Sequence, residues 1–363
     1  MTLPDTMRAM VTVSHGDLDR IVLHRDWPRP DPAPGEVLIR VGACGLNNTD
    51  VNTRTGWYSK AVSEATTGSA HAEVGNDDPT WGGAPIAFPR IQGADVAGHI
   101  VAVGRSIPTG RVGERVIVEP VVRDPRAPGD RSRIAYLGSE RDGGFAEYVA
   151  VPAVSAFRVQ SDLSDAELAT FPCSYSTAEH MLTRIRLSGQ DVLLVTGASG
   201  GVGSALVQLA KRRGATVLAI AGVTKMKAVA ALGADRVIPR EANMGDSLKR
   251  NLPEKGVDAV ADVVGGSVFP DLVNALKPGG RYVTAGAIAG PIVSLDLRQL
   301  YLKDLEFQGA TVLPPSLFGR LVAYIEKREI RPVVAGEFPL SEIMSAQEAF
   351  MAKKHVGSFV LRP

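Results

Sequence analysis

The chain is 363 residues long, 45% hydrophobic and 22% charged, with a net charge of +1. That length predicts two domains able to bury sizeable cores, and a near-neutral chain without a long basic run excludes nucleic-acid and membrane-surface partners. No apolar run approaches a membrane span, and the opening MTLPDTMRAMVTVSHGD lacks the uninterrupted apolar core of a signal peptide.

Up to about Val159 the sequence reads as a compact, mostly antiparallel β domain. Short alternating runs at 9–13, 21–23, 36–41, 98–103, 115–118 and 145–149 are separated by Pro- and Gly-rich turns such as 28–35. Two segments read as loops. Residues 55–90 hold Trp57, Tyr58, His71, Glu73, Asp77, Asp78 and Trp81 with few strand or helix signals. A loop of that length is either functional or disordered, so it is expected to cover an active site or to be plain surface. Residues 123–139 are charged and rich in Pro and Gly, and read as a surface lobe.

Ser164-Asp165-Ala166-Glu167 is a capping box that opens a helix, which places the interdomain connection near 160–163. Residues 191–214, DVLLVTGASGGVGSALVQLAKRRG, organise the second half of the chain. The apolar run 192–196 suits a strand buried in a parallel sheet. A glycine turn, 197–203, leads into a helix with apolar residues at helical spacing and cations in its last turn. Strand, glycine turn and helix are the parts of a dinucleotide site, because bare backbone approaches a pyrophosphate and free N–H groups at the helix start bind it.

The alternation continues with strands at 216–221, 257–264 and 281–285 and helices at 226–232 and 269–276, the last stopped by Lys277-Pro278-Gly279-Gly280. Residues 306–313 form a further strand, 317–326 and 341–353 two amphipathic helices, and 358–361 a closing strand. Cys44 and Cys173, the two cysteines, are too few for a disulfide framework, and a reducing cytoplasmic compartment is expected.

Taken together, PGEVLIRVGACGLNNTD, IQGADVAGHIVAVG, GERV, GGFAEYVAVP, FPCSYSTAEHML, VLLVTGASGGVGSALVQLAK, DVVGG, LKPGGRYVTAG and HVGSFVLRP resemble the medium-chain dehydrogenase/reductase superfamily almost end to end. That group includes zinc-type alcohol dehydrogenases and zinc-free quinone or enone reductases. The resemblance implies an α/β chain: a Rossmann domain with a doubly wound parallel sheet (161–311) plus a chaperonin-10-like, mostly-β catalytic domain (1–160 and 312–363). It implies an active site in the cleft between them.

Departures from the zinc-type pattern decide the chemistry. Where those relatives place a ligand Cys in a string like GVCHTD, this chain has Asn47; where they place a ligand His in a GHE triplet, it has Gly93-Ala94-Asp95. Only Cys173 keeps its thiol, and the close-set cysteines of a structural zinc are missing from 123–139. Catalytic zinc needs three protein ligands, so no metal is expected, with His71 and Glu73 the remaining candidates to fill a gap. Zinc lowers the pKa of bound water by roughly nine units, equivalent to about 12 kcal/mol. Hydride addition to an activated alkene or quinone instead forms an enolate or phenolate, which a few hydrogen-bond donors can hold.

By resemblance, the catalytic candidates are Asn47, Thr49, Asp50 and Tyr58. Asn47 is expected to donate to the substrate oxygen or to the ribose side of the nicotinamide, or to serve as a turn residue after Gly45. Thr49 stands where relatives keep a hydroxyl relay, and equally suits an N-cap; Asp50 orients either neighbour or caps. Tyr58, in RTGWY, is the expected donor to a developing oxyanion, with core burial as the alternative. Asp95 is expected to make a structural hydrogen bond, Cys173 to be a small buried hydrophobe, and His99 and His180 to be core histidines.

The expected cofactor contacts are Thr177, Ser199, Gly200, Gly201, Val202, Gly203, Gly222, Thr224, Lys227, Arg240, Val264 and Ala287. An NAD site carries Asp or Glu about 20 residues after its first glycine, and 217–222 contains no acid. Thr224, Lys225, Lys227 and Arg240 instead suit a 2′-phosphate, so NADPH is the expected cofactor. The functions in view are a zinc-independent NADPH-dependent reductase of enones or quinones, an alcohol or aldehyde oxidoreductase, and a non-catalytic NADPH-binding protein. The expected partners are a small-molecule substrate and a second copy of the chain, paired through the sheet edge at 307–313.

Overall fold

A computed structural model describes residues 3–71, 74, 85–124 and 126–363. Glu73, Asp77, Asp78 and Trp81 of the long loop lie outside the described residues. The apolar runs of the central region form one six-stranded parallel sheet, ordered Arg236–Pro239, Thr216–Ala221, Val192–Val195, Val257–Asp262, Leu276–Thr284, Glu306–Gly309. The sequence order reverses beside Val192–Val195, which opens a crevice at the carboxyl ends of the strands there. Both sheet faces are covered. Leu193 and Val195 pack with Leu206 and Leu209 of the following helix on one side, and Leu194 and Val260 pack with Leu272 and Val273 on the other.

The N-terminal runs form a seven-stranded sheet around Glu36–Gly45, which pairs with Asp95–Val103, Tyr148–Pro152 and Ser358–Arg362. Both ends of the chain thus build one sheet. A second, three-stranded sheet joins Thr6–Thr12 to Ile21–Pro28 and Arg90–Ile91. The fold is α/β, a doubly wound parallel sheet beside a mostly-β body, as the sequence implies.

Three helices line the crevice, α1 (Asn48–Thr55), α3 (Pro172–Arg184) and α4 (Gly201–Arg212), and a short α2 (Asp165–Leu168) packs on the N-terminal sheet. The capping box at Ser164 and Glu167 forms as expected but opens only the single turn of α2. The main helix, α3, starts at Pro172, where a missing N–H costs nothing.

Three expectations are corrected. The strand expected over 281–285 starts at Leu276 and passes through Pro278 and two glycines, with an irregularity against its neighbour absorbing them. The strand expected over 306–313 ends at Gly309, and one further bond, Ala310 N to Thr284 O at 2.9 Å, closes it. The 123–139 segment is more than a surface lobe. Arg123 ties Glu119 to the Leu313 carbonyl, and Tyr136 reaches inward to Cys173.

Candidate active site

A cavity of about 230 Å³ lies in the crevice. Its walls are the glycine turn, the first turns of α1 and α3, the 285–288 segment and the chain's last turn before Ser358–Arg362. Gly203 shows why the turn is built of glycine: a Cβ there would stand 2.1 Å from the Gly197 carbonyl oxygen. Helix α4 begins with Gly200 as N-cap and no side-chain cap, so no side chain competes with an anion for the N–H groups of its first turn.

At one end the cavity is cationic. Lys225 Nζ donates to the Lys353 carbonyl at 2.5 Å and lies 3.5 Å from Ser199 Oγ. Lys353 Nζ donates to Asn48 Oδ1 at 3.0 Å and sits 3.8 Å above the Phe350 ring centroid. Arg240 completes the group, and no described Asp or Glu lines the cavity. Burial, with Lys225 nearby, lowers the Lys353 ammonium to about 8. Burial and the two lysines hold His355 at about 4, so it is neutral at physiological pH.

Asn48, whose N–H donates to Asn47 Oδ1, joins this group to a buried polar network. Asn47 is the N-cap of α1, and its backbone N–H donates to Asp50 Oδ2 at 2.8 Å in a capping box. Thr49 is therefore inside the helix, not its cap; its Oγ1 is buried without a partner among the described residues. Asp50 also accepts from Gly93 N, and burial raises its carboxyl to about 7. Asp95 accepts from Cys173 N at 2.6 Å and from Asn47 Nδ2 at 3.3 Å, and burial raises it to about 8. The Cys173 sulfur accepts from the Tyr136 hydroxyl at 3.0 Å, and burial beside Asp95 pushes the thiol well above its usual range. Tyr58 packs edge-on to Trp57, with centroids 5.7 Å apart, and burial pushes its phenol well above the usual range. The loop carrying both rings crosses the crevice, where Thr66 N donates to the Ile288 carbonyl at 2.9 Å.

The cavity brings together Asn47, Thr49, Tyr58, Thr177, Ser199, Gly200, Gly201, Val202, Gly203, Arg240 and Ala287. Five expected contacts fall outside its wall. Asp50 is buried beneath it, where a carboxylate accepting two backbone N–H groups supports Asn47 and the Gly93 turn. Gly222, Thr224 and Lys227 are displaced by a 3₁₀ turn, Val223–Lys225, that aims Lys225 inward and leaves Thr224 and Lys227 exposed. Val264 is engaged through its backbone with Asp262 and Ala289, so Val263 lines the cavity in its place. Sequence reasoning missed Asn48, Ser174, Lys353, His355 and Ser358 as site residues. The signal for the last two is the closing HVGSFVLRP string, whose Gly357 N donates to Ser199 O at 2.9 Å.

This arrangement fits the expected donor set of a dinucleotide and does not fit zinc. Asn47 spends its amide on protein partners, Ala94 offers a methyl group, and Cys173 alone cannot supply three ligands. No group of three His, Cys, Asp or Glu among the described residues has the geometry to hold a metal.

Residues 33–161 match the alcohol dehydrogenase GroES-like domain, and residues 201–327 the zinc-binding dehydrogenase family. The chain is 30% identical to an acryloyl-coenzyme A reductase of Metallosphaera sedula, over 98% of this chain and 99% of that one. It belongs to the medium-chain dehydrogenase/reductase superfamily. Within that superfamily it is 28% identical to a quinone oxidoreductase of Lama guanicoe, over 94% of this chain and 93% of the relative. A solved structure from Sinorhizobium meliloti 1021, described as a candidate alcohol dehydrogenase, superposes with a TM-score of 0.89 at 48% identity, covering 99% of this chain and 98% of that one. The chain is accordingly an oxidoreductase by family. No helix of its described residues is long and apolar enough to cross a membrane.

Proposed function

We propose that this oxidoreductase uses NADPH to reduce an activated C=C bond or a quinone, without a metal, in the cleft between a catalytic domain (1–160 and 312–363) and a Rossmann domain (161–311). The observation that carries the reading is the donor set: an engaged amide at Asn47, a methyl at Ala94 and a lone thiol at Cys173 whose sulfur accepts from Tyr136, beside Thr49 and Tyr58 in the wall of the same cavity. Bound there, the nicotinamide supplies hydride.

The protein's own part is positioning and charge. Lys225, Arg240 and Lys353 neutralise the phosphates of the cofactor's adenosine end, and the free N–H groups of α4 hold the diphosphate. Tyr58 and Thr49 donate to the oxygen on which negative charge gathers. The names of the acryloyl-CoA reductase and quinone oxidoreductase relatives support this substrate class.

Purified protein should oxidise NADPH with an α,β-unsaturated ketone or thioester or with a quinone, at a rate unchanged by EDTA and without stoichiometric zinc. A second reading, an alcohol or aldehyde oxidoreductase, is favoured by the 48% identical structure. Turnover of simple aldehydes but not enones would replace the first reading with the second. Tight NADPH binding with no turnover would leave a sensor. The exposed Ile292, Leu297, Tyr301 and Leu302, just before the edge strand Glu306–Gly309, support a homodimer. Two free, buried cysteines suit the cytoplasm.

Cofactor affinity should also depend on pH. Lys353 loses its proton near pH 8 in the free protein, while a bound phosphate stabilises the charged ammonium and raises its pKa. Affinity is therefore full below about pH 8 and falls as pH rises through it, with proton uptake on binding. A fluorescence titration from pH 7 to 9.5 should show the NADPH Kd rising several-fold, and Lys353→Met should bind weakly with a flat profile.

A further inference from the structure

Both hydrogens of the Asn47 amide are committed. Nδ2 donates to Asp95 Oδ2 and to Ser174 Oγ, each at 3.3 Å, while Oδ1 accepts from Asn48 N at 2.8 Å. The last bond fixes which end of the amide is nitrogen, and the head group has no donor left for a ligand.

That saturation defines the neighbouring hydroxyl. A serine oxygen that accepts on one side carries its own proton to another, and among the described residues no acceptor takes the Ser174 proton. The usual fate of a helical serine is a bond back to its own helix's carbonyls. Ser176 follows that rule, donating to Cys173 O at 3.2 Å. Ser174 does not, because Asn47 turns it away. Nor is it a cap, since Phe171 holds that position.

Ser174 is 2% exposed and lines the cavity. Its Oγ lies 2.5 Å from where a Cβ on Gly201 would stand, so the absent side chain lets the hydroxyl approach the opening of α4. Asp95, also 2% exposed, anchors the far end of the chain of bonds. The order is Asp95 carboxyl group, Asn47 amide, Ser174 hydroxyl, then open cavity. Ser174 sits beside Cys173, one turn before Thr177 on α3, and all three line the cavity with Tyr58.

We propose that Ser174 donates its hydroxyl proton to an oxygen of the nicotinamide-side half of the bound dinucleotide, a ribose or diphosphate oxygen, with Asn47 and Asp95 serving to aim it. This rests on the dinucleotide reading above. Ser174 becomes the ligand contact and Asn47 a positioning residue behind it.

The test is fluorescence titration of the full chain with two probes, NADPH and adenosine 2′,5′-diphosphate, which lacks the nicotinamide half. Ser174→Ala should weaken NADPH binding about tenfold, the loss of one hydrogen bond, and leave the adenosine diphosphate Kd unchanged. The second probe doubles as evidence that the variant is folded. Asn47→Ser keeps a capping oxygen for α1 but no longer reaches Ser174. It should weaken NADPH binding in the wild-type background and add nothing in the Ser174→Ala background. Wild-type NADPH affinity in Ser174→Ala, equal loss of both probes, or additive effects of the two substitutions would overturn the assignment. A wild-type chain that binds neither probe would overturn the dinucleotide reading itself.

Discussion

Lys225→Glu should lower kcat/KM for NADPH by about a hundredfold and leave NADH within about threefold of wild type. Lys225 is half-buried, bonded to the Lys353 carbonyl and within 3.5 Å of Ser199 Oγ. Its charge faces the cavity across little water. At an effective dielectric of about 20, a unit charge some 6 Å from a phosphate contributes about 3 kcal/mol, and reversing the sign turns that attraction into repulsion. Screening removes part of it, which leaves about two decades in kcat/KM. NADH carries a 2′-hydroxyl there, and the new carboxylate can accept from it. Lys227→Glu is the control. Lys227 is exposed and outside the cavity wall, so it should change either constant by less than about twofold. Steady-state kinetics with both cofactors decide the matter: if the Lys225→Glu variant keeps its NADPH preference, the cationic end does not read the 2′-phosphate.

The difference between those two lysines shows what sequence can carry. Apolar runs such as Leu193–Val195 and Ala259–Ala261 specify buried parallel strands because both faces must be apolar, whereas the order of the six strands is seen only in the structure. Which cation turns inward does not follow, because one 3₁₀ turn after Gly222 shifts the direction of each side chain by about 120° per residue. The same limit applies at Asn47. The Asn-x-x-Asp spacing is a capping box in hindsight, but the resemblance drew attention to the missing metal ligand, and Thr49 competed for the cap. Lys353, His355 and Ser358 reach the cavity from a chain end more than 100 residues beyond the glycine turn. That contact depends on Ser358–Arg362 joining the N-terminal sheet, and no local pattern encodes it. The Leu276 strand is a further case: Pro278, Gly279 and Gly280 carry every turn signal, yet flanking pairs with Val257 and Ala259 hold them in the sheet.

Tyr58→Phe should cut kcat with an enone acceptor by about a hundredfold while the NADPH Kd stays within about twofold. Tyr58 lines the cavity, and its ring is held edge-on against Trp57, with centroids 5.7 Å apart. Burial pushes the phenol far above its usual range, which keeps its proton in place across the working pH. A donor fixed in this way needs no reorganisation when charge develops on the substrate oxygen, and one such donor is worth about 10²- to 10³-fold in kcat. Thr49, with its buried and unpartnered Oγ1 nearby, holds the effect to the lower end of that range; Thr49→Val with Tyr58→Phe should cost more than either alone. If Tyr58 were only packing against Trp57, loss of the hydroxyl would shift Tm slightly and leave kcat untouched. An unchanged kcat for Tyr58→Phe would therefore assign the oxyanion to other groups.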